Sequence, residues 1–155
     1  MLAKLSRQGP KISYPSDLDG LVRRCASLLS LAVLPEIFVI KEGQMNAFTF
    51  EAEKHPVLVV DSELLKLLTP REVMALVGHE LGHVKSGHML YHTLGEVLSG
   101  GISLSSSLLG LNVLSIPIRF ALLSWQRESE VTADRASLLV VNDLGVLRSL
   151  MTKLA

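Results

Sequence analysis

The sequence predicts an α+β fold in one domain: a small, mostly antiparallel sheet packed on two long helices. Three observations carry that expectation. Thr69-Pro70-Arg71-Glu72 is a helix start, with Thr as N-cap, Pro at the first helical position and Glu at the third. Three short runs with strand character lie between residues 36 and 60. A second long helical pattern follows from Arg119 to Val141. The chain has 155 residues, a length that suits one domain, and 48% of them are hydrophobic, enough for a core.

In chain order, residues 1–15 read as an N-terminal arm. Met1–Tyr14 carries Lys4, Arg7 and Lys11 but no apolar run, so it is neither signal peptide nor anchor. The domain proper is 16–155. Ser16-Asp17-Leu18-Asp19 is a capping box that opens a helix over 17–33. Leu18, Leu21, Val22, Cys25, Leu28, Leu29 and Ala32 give it an apolar face, and Arg23 and Arg24 a solvated one. Cys25 falls on the apolar face and reads as a small core residue.

The strand candidates are Glu36–Ile40, Met45–Phe50 and Pro56–Val60. The second is bounded by Gly43 and by Glu51-Ala52-Glu53-Lys54. The third is a continuous apolar run, the pattern of a strand buried on both faces. Asp61-Ser62-Glu63 starts a short helix through Leu68, and Thr69 caps a long one over 70–98. No charged residue stands between Val97 and Ile118. Pro117 predicts a helix boundary near Ser115 and a new helix over 119–141. Asn142-Asp143-Leu144-Gly145 marks a turn, and a last helix reaches Leu154.

The chemistry lies in His79-Glu80-Leu81-Gly82-His83, which reads H-E-x-x-H. On a helix, residues four apart share a face, so His79 and His83 can hold one metal ion, and nitrogen ligands suit zinc. Glu80 stands beside the metal, placed to take a proton from a zinc-bound water. Gly78 and Gly82 weaken the helix by roughly 1 kcal/mol each. Their presence predicts close approach of another backbone.

A catalytic zinc takes three protein ligands and keeps one position open. His88 and His92 fail as the third, because they lie roughly 140° and 180° around the helix from His83. His55, before a strand, stays open with nothing to support it. Glu130 and Asp134 share one face of the later helix, where Glu130 can be the third ligand. Asp134 can then accept a hydrogen bond from the far nitrogen of a ligating histidine.

These residues together resemble the zinc metallopeptidases of the CAAX-prenyl-protease and HtpX-like family. The likeness rests on His79-Glu80-Leu81-Gly82-His83 with His88 five residues on, and on Glu130-x-x-x-Asp134-Arg135. Asn46-Ala47-Phe48 is similar to that family's Asn-Ala-aromatic strand, and Thr69-Pro70 with Glu72 to the start of its active-site helix. The resemblance covers roughly Leu34 to Ala155. It implies a zincin-like fold of the gluzincin kind, with an active-site helix and a glutamate helix, and an endopeptidase with one zinc. It assigns zinc ligation to His79, His83 and Glu130, the general base to Glu80 and the orienting role to Asp134. The strand of Asn46, Ala47 and Phe48 is expected to pair with an extended substrate. His88 and Arg135 are expected in accessory or structural roles.

The chain departs from the family pattern twice. It has no clear transmembrane helix, and it stops at Ala155 without the His- and Arg-bearing segment some members carry. That leaves the oxyanion partner unassigned and is what a piece of a longer protein would show.

The expected partner is a protein or peptide substrate. Fifteen basic residues balance fifteen acidic ones, which argues against nucleic acid. One cysteine rules out an internal disulfide and fits a reducing compartment, the cytoplasm. The oligomeric state is left open. Two rival readings are an inactive zinc-bound interaction module and a membrane-attached helical scaffold. If Glu130 and His83 share a metal, 97–118 cannot cross a bilayer once, since a span would part them by about 30 Å. The stretch is expected to fold back as buried helix and turn, or to rest on a membrane surface.

Overall fold

A computed structural model describes residues 16–41, 46–52, 55–87 and 111–155, with the backbone alone for 16, 17, 111–120 and 122. The order is α1 (Ser16–Leu28), β1 (Glu36–Ile40), β2 (Ala47–Ala52), β3 (His55–Asp61), α2 (Ser62–Leu67), α3 (Pro70–Lys85), α4 (Leu111–Val141) and α5 (Leu144–Leu154). The class is α+β, as expected. The arm 1–15 and most of 97–118 lie outside the described residues, as do His88 and His92.

The sheet is mixed, not mostly antiparallel. Its order is β1-β3-β2, with β1 parallel and β2 antiparallel to β3. The reason is in the connections. β2 and β3 are joined by two residues, too short for anything but a reversal. β1 and β2 also run oppositely, on the two edges. Two reversals return β3 to the direction of β1. From Pro56 to Asp61 the central strand is buried, as its unbroken apolar run predicts. His55 is its exposed first residue. Glu51 and Ala52, expected to bound the second strand, belong to it.

α3 forms the centre. Its capping box is formed as expected: the Glu72 N–H donates to Thr69 Oγ1 at 3.4 Å, and the Thr69 N–H to Glu72 Oε2 at 2.7 Å. Val73, Ala75, Leu76, Val77 and Leu81 are buried against α1, the sheet and the C-terminal helices. Cys25 of α1 is buried in that core, beside the Met74 carbonyl. Burial pushes its thiol up to about 11, so it is inert.

Three helix boundaries differ from expectation. α1 stops at Leu28, not near Val33. Ser30 takes a positive φ of 50°, its N–H bonds the Ser27 carbonyl at 3.0 Å, and the Leu31 N–H bonds that of Ala26 at 2.9 Å. This Schellman closure satisfies the end carbonyls; Leu29 and Leu31 still pack on the core, while Ala32 and Val33 are exposed. α3 stops at Lys85, not 98. Ser86 caps it, and Gly87 follows with a φ of +67°, outside the helical range. α4 begins at Leu111 and runs through Pro117, where a boundary was expected. Proline there removes one helical hydrogen bond, and the helix continues across it.

α4 lies antiparallel to α3. The Arg71 guanidinium donates to the Val141 carbonyl at 3.1 Å, and the Ser137 hydroxyl to that of Ala75 at 2.7 Å. Residue numbers fall on one helix as they rise on the other. The two glycines make this contact possible. A Cβ on Gly78 would stand 3.1 Å from Ser137 Cα, and one on Gly82 2.9 Å from Ala133 Cα. The predicted backbone approach is therefore present, and α4 is its source.

Candidate metal centre

The antiparallel pair brings His79, His83 and Glu130 together, with one ligand atom from each within 4.8 Å of the others. The two Nε2 atoms are 3.3 Å apart. His79 Nε2 is 3.4 Å from Glu130 Oε2, and His83 Nε2 is 3.9 Å from Oε1. Atoms held tetrahedrally about 2.0–2.1 Å from a zinc ion stand about 3.3 Å from one another. The two shorter separations match that spacing, and the 3.9 Å one is to the other carboxylate oxygen.

The far nitrogens are held as well. His79 Nδ1 donates to Asp134 Oδ1 at 3.0 Å, the partnership expected of Asp134. A carboxylate can only accept, so Nδ1 carries the proton and the Nε2 lone pair faces the cluster. His83 Nδ1 meets the buried Ser129 hydroxyl at 3.3 Å. Two imidazole nitrogens and a carboxylate thus converge on one point. Two imidazoles and a carboxylate are a donor set that fits a divalent metal ion such as zinc.

Glu80 sits beside the cluster, buried at 7% exposure. Burial pushes its carboxyl up to about 8; a Thr49 hydrogen bond opposes that, and the charge of Glu130 adds to it. Thr49 Oγ1 lies 3.2 Å from Glu80 Oε2 and 3.4 Å from the Glu80 carbonyl.

Strand β2 overlooks the site from the sheet edge. The Asp61 N–H donates to the Asn46 carbonyl at 2.9 Å, and Ala47 stands opposite Val60. Antiparallel pairs alternate, so Phe48 and Phe50 spend their backbone groups on β3. Ala47, Thr49 and Glu51 direct theirs to the outer edge. Asn46 turns its side chain locally, accepting from the Ala47 N–H at 2.9 Å. Arg135 is exposed on α4, and His55 lies outside the cluster.

Sequence reasoning missed Ser129 and Thr49. Ser129 carried a faint signal, a small polar residue next to Glu130 in a helix that needs an apolar face. Thr49 could have been found from strand alternation, which sets it opposite to Phe48 and Phe50.

Two helices thus bring an H-E-x-x-H pair up to a glutamate beneath an edge strand, the arrangement of a candidate metal centre. The chain belongs to Peptidase family M48, whose model matches residues 15–155. It is 36% identical over 141 residues to the plastoglobule-localized metallopeptidase 48 of the Arabidopsis thaliana chloroplast, covering 90% of this chain and 40% of that protein. It is 34% identical over 88 residues to a protease HtpX homolog of Thermodesulfovibrio yellowstonii, covering 56% and 31%. An HtpX homolog of Burkholderia mallei is 28% identical over 155 residues, covering 86% and 54%. The matches thus span between 31% and 54% of these relatives' own length. No solved structure matches it. Among the described residues, no helix is long and apolar enough to cross a membrane.

Proposed function

We propose that this domain hydrolyses peptide bonds as a zinc-dependent endopeptidase of the gluzincin kind. The observation that carries the reading is the convergence of His79 Nε2, His83 Nε2 and the Glu130 carboxylate beside the buried Glu80. These three residues hold the ion. When bound, zinc supplies a Lewis acid for the scissile carbonyl and lowers the pKa of its water to about 7. Glu80 takes the proton of the attacking water and passes it to the leaving amine. Asp134 and Ser129 hold the two imidazoles in the tautomer and orientation that ligation needs. The outer edge of β2 takes the substrate main chain as an added strand. Protein or peptide is the substrate class.

The test is metal analysis of purified protein together with casein cleavage, with and without a chelator. The expected result is one zinc per chain, and cleavage that stops on chelation and returns with zinc. Protein without zinc, or cleavage indifferent to chelation, overturns the reading.

A further inference from the structure

Thr49 is where the substrate edge and the proposed base meet. Its backbone groups point outward along the free side of β2, where an added strand would pair. Its side chain stands out of the plane of the sheet, toward α3, with Oγ1 3.2 Å from Glu80 Oε2. The two partners differ in stiffness. A β-branched side chain in a paired strand has restricted χ1 freedom. A glutamate has three rotatable bonds, and a general base must come within about 2.6–3.2 Å of the proton it takes.

We propose that Thr49 is a positioning residue, whose hydroxyl ties one carboxylate oxygen of Glu80 to the edge strand and leaves the other free for the attacking water. The strand that aligns the peptide also aligns the base, so the two are set relative to each other by one residue. This rests on the reading of Glu80 as general base and adds the group that aims it.

The test compares Thr49→Val, which keeps the shape and removes the hydroxyl, with Thr49→Ser, which keeps the hydroxyl. Zinc retained after dialysis, and kcat and KM on a quenched fluorescent peptide, are measured on the full chain. Crystal structures of both variants and the wild type supply a readout independent of activity. In Thr49→Val, zinc stays bound, KM holds, kcat falls about 10–100-fold as for a misplaced reacting group, and the Glu80 carboxylate has moved. Thr49→Ser recovers most of the lost kcat with Glu80 back in place. A Thr49→Val protein with wild-type kcat, a Thr49→Ser protein as slow as Thr49→Val, or an unmoved Glu80 carboxylate overturns the proposal. If the wild type neither binds zinc nor cleaves, the peptidase reading is what fails, and the carboxylate position still decides whether Thr49 holds Glu80.

Discussion

Gly82 of α3 and Ala133 of α4 meet backbone against backbone: a Cβ on the glycine would lie 2.9 Å from Ala133 Cα and 2.8 Å from Ala136 Cβ. Neither neighbour is the flexible end of a long side chain, so the helices themselves must move apart. Gly82→Ala gains roughly 1 kcal/mol of helix propensity. Overpacking costs about 1–3 kcal/mol and wins. The larger expected effect is at the metal, because α4 carries Glu130 one turn from this contact. Zinc titration and thermal unfolding of Gly82→Ala should show weaker binding beside lower stability. Undiminished zinc affinity would mean that the close approach does not set the ligand spacing.

The two glutamates should separate cleanly. Glu80→Gln keeps the zinc and the fold and abolishes casein cleavage, since an amide cannot take the proton. Glu130→Gln loses an anionic ligand, binds zinc much more weakly, and regains some activity in excess zinc. Zinc retained after dialysis, measured beside cleavage, checks both. A Glu80→Gln protein that loses its metal would reverse the roles.

The histidines lean on different partners, a carboxylate for His79 and a hydroxyl for His83. Asp134→Asn should cost about 10–100-fold in zinc affinity or activity. Ser129→Ala should cost less, because the lost partner is uncharged. Isothermal titration with zinc ranks the two, and the reverse order would show that the carboxylate contributes nothing special.

Glu72 offers a pH prediction away from the metal. Lys153 and Ser149, each 2.7 Å away, and the Thr69 N–H hold its carboxyl down at about 2, against an ordinary 4.5. A depressed carboxyl stabilises the fold fully above its unfolded value, and the contribution fades as pH falls through the folded one. Glu72→Gln should therefore be less stable than wild type at neutral pH, and the gap should close between about 4.5 and about 2. Urea unfolding across that range checks it. A gap that persists at the acid end would assign the cap its worth through the uncharged hydrogen bonds alone.

Much of this was legible because it is local. The Thr69 to Glu72 cap, the one-turn spacing of His79 and His83, and that of Glu130 and Asp134 are written within a few residues. Gly78 and Gly82 announced a neighbour because a helix gains nothing from them otherwise. Other features depend on the whole chain. β1 lies parallel to β3 because β2 intervenes in sequence but not in space. Thr49 and Ser129 found their partners through packing between elements far apart in the chain. The end of α3 lay between: Gly87 is a stop signal, but the expectation carried the helix past it to 98.

The antiparallel pairing of α3 and α4 also bears on how such a chain is made. The ribosome delivers the histidine pair first and Glu130 well afterwards, since synthesis proceeds from the N-terminus. On the roles proposed here, a nascent chain holds two of its three donors until α4 has emerged and docked. Metal capture by the full donor set therefore waits on the docking of α4, not on the folding of the helix that carries the histidines.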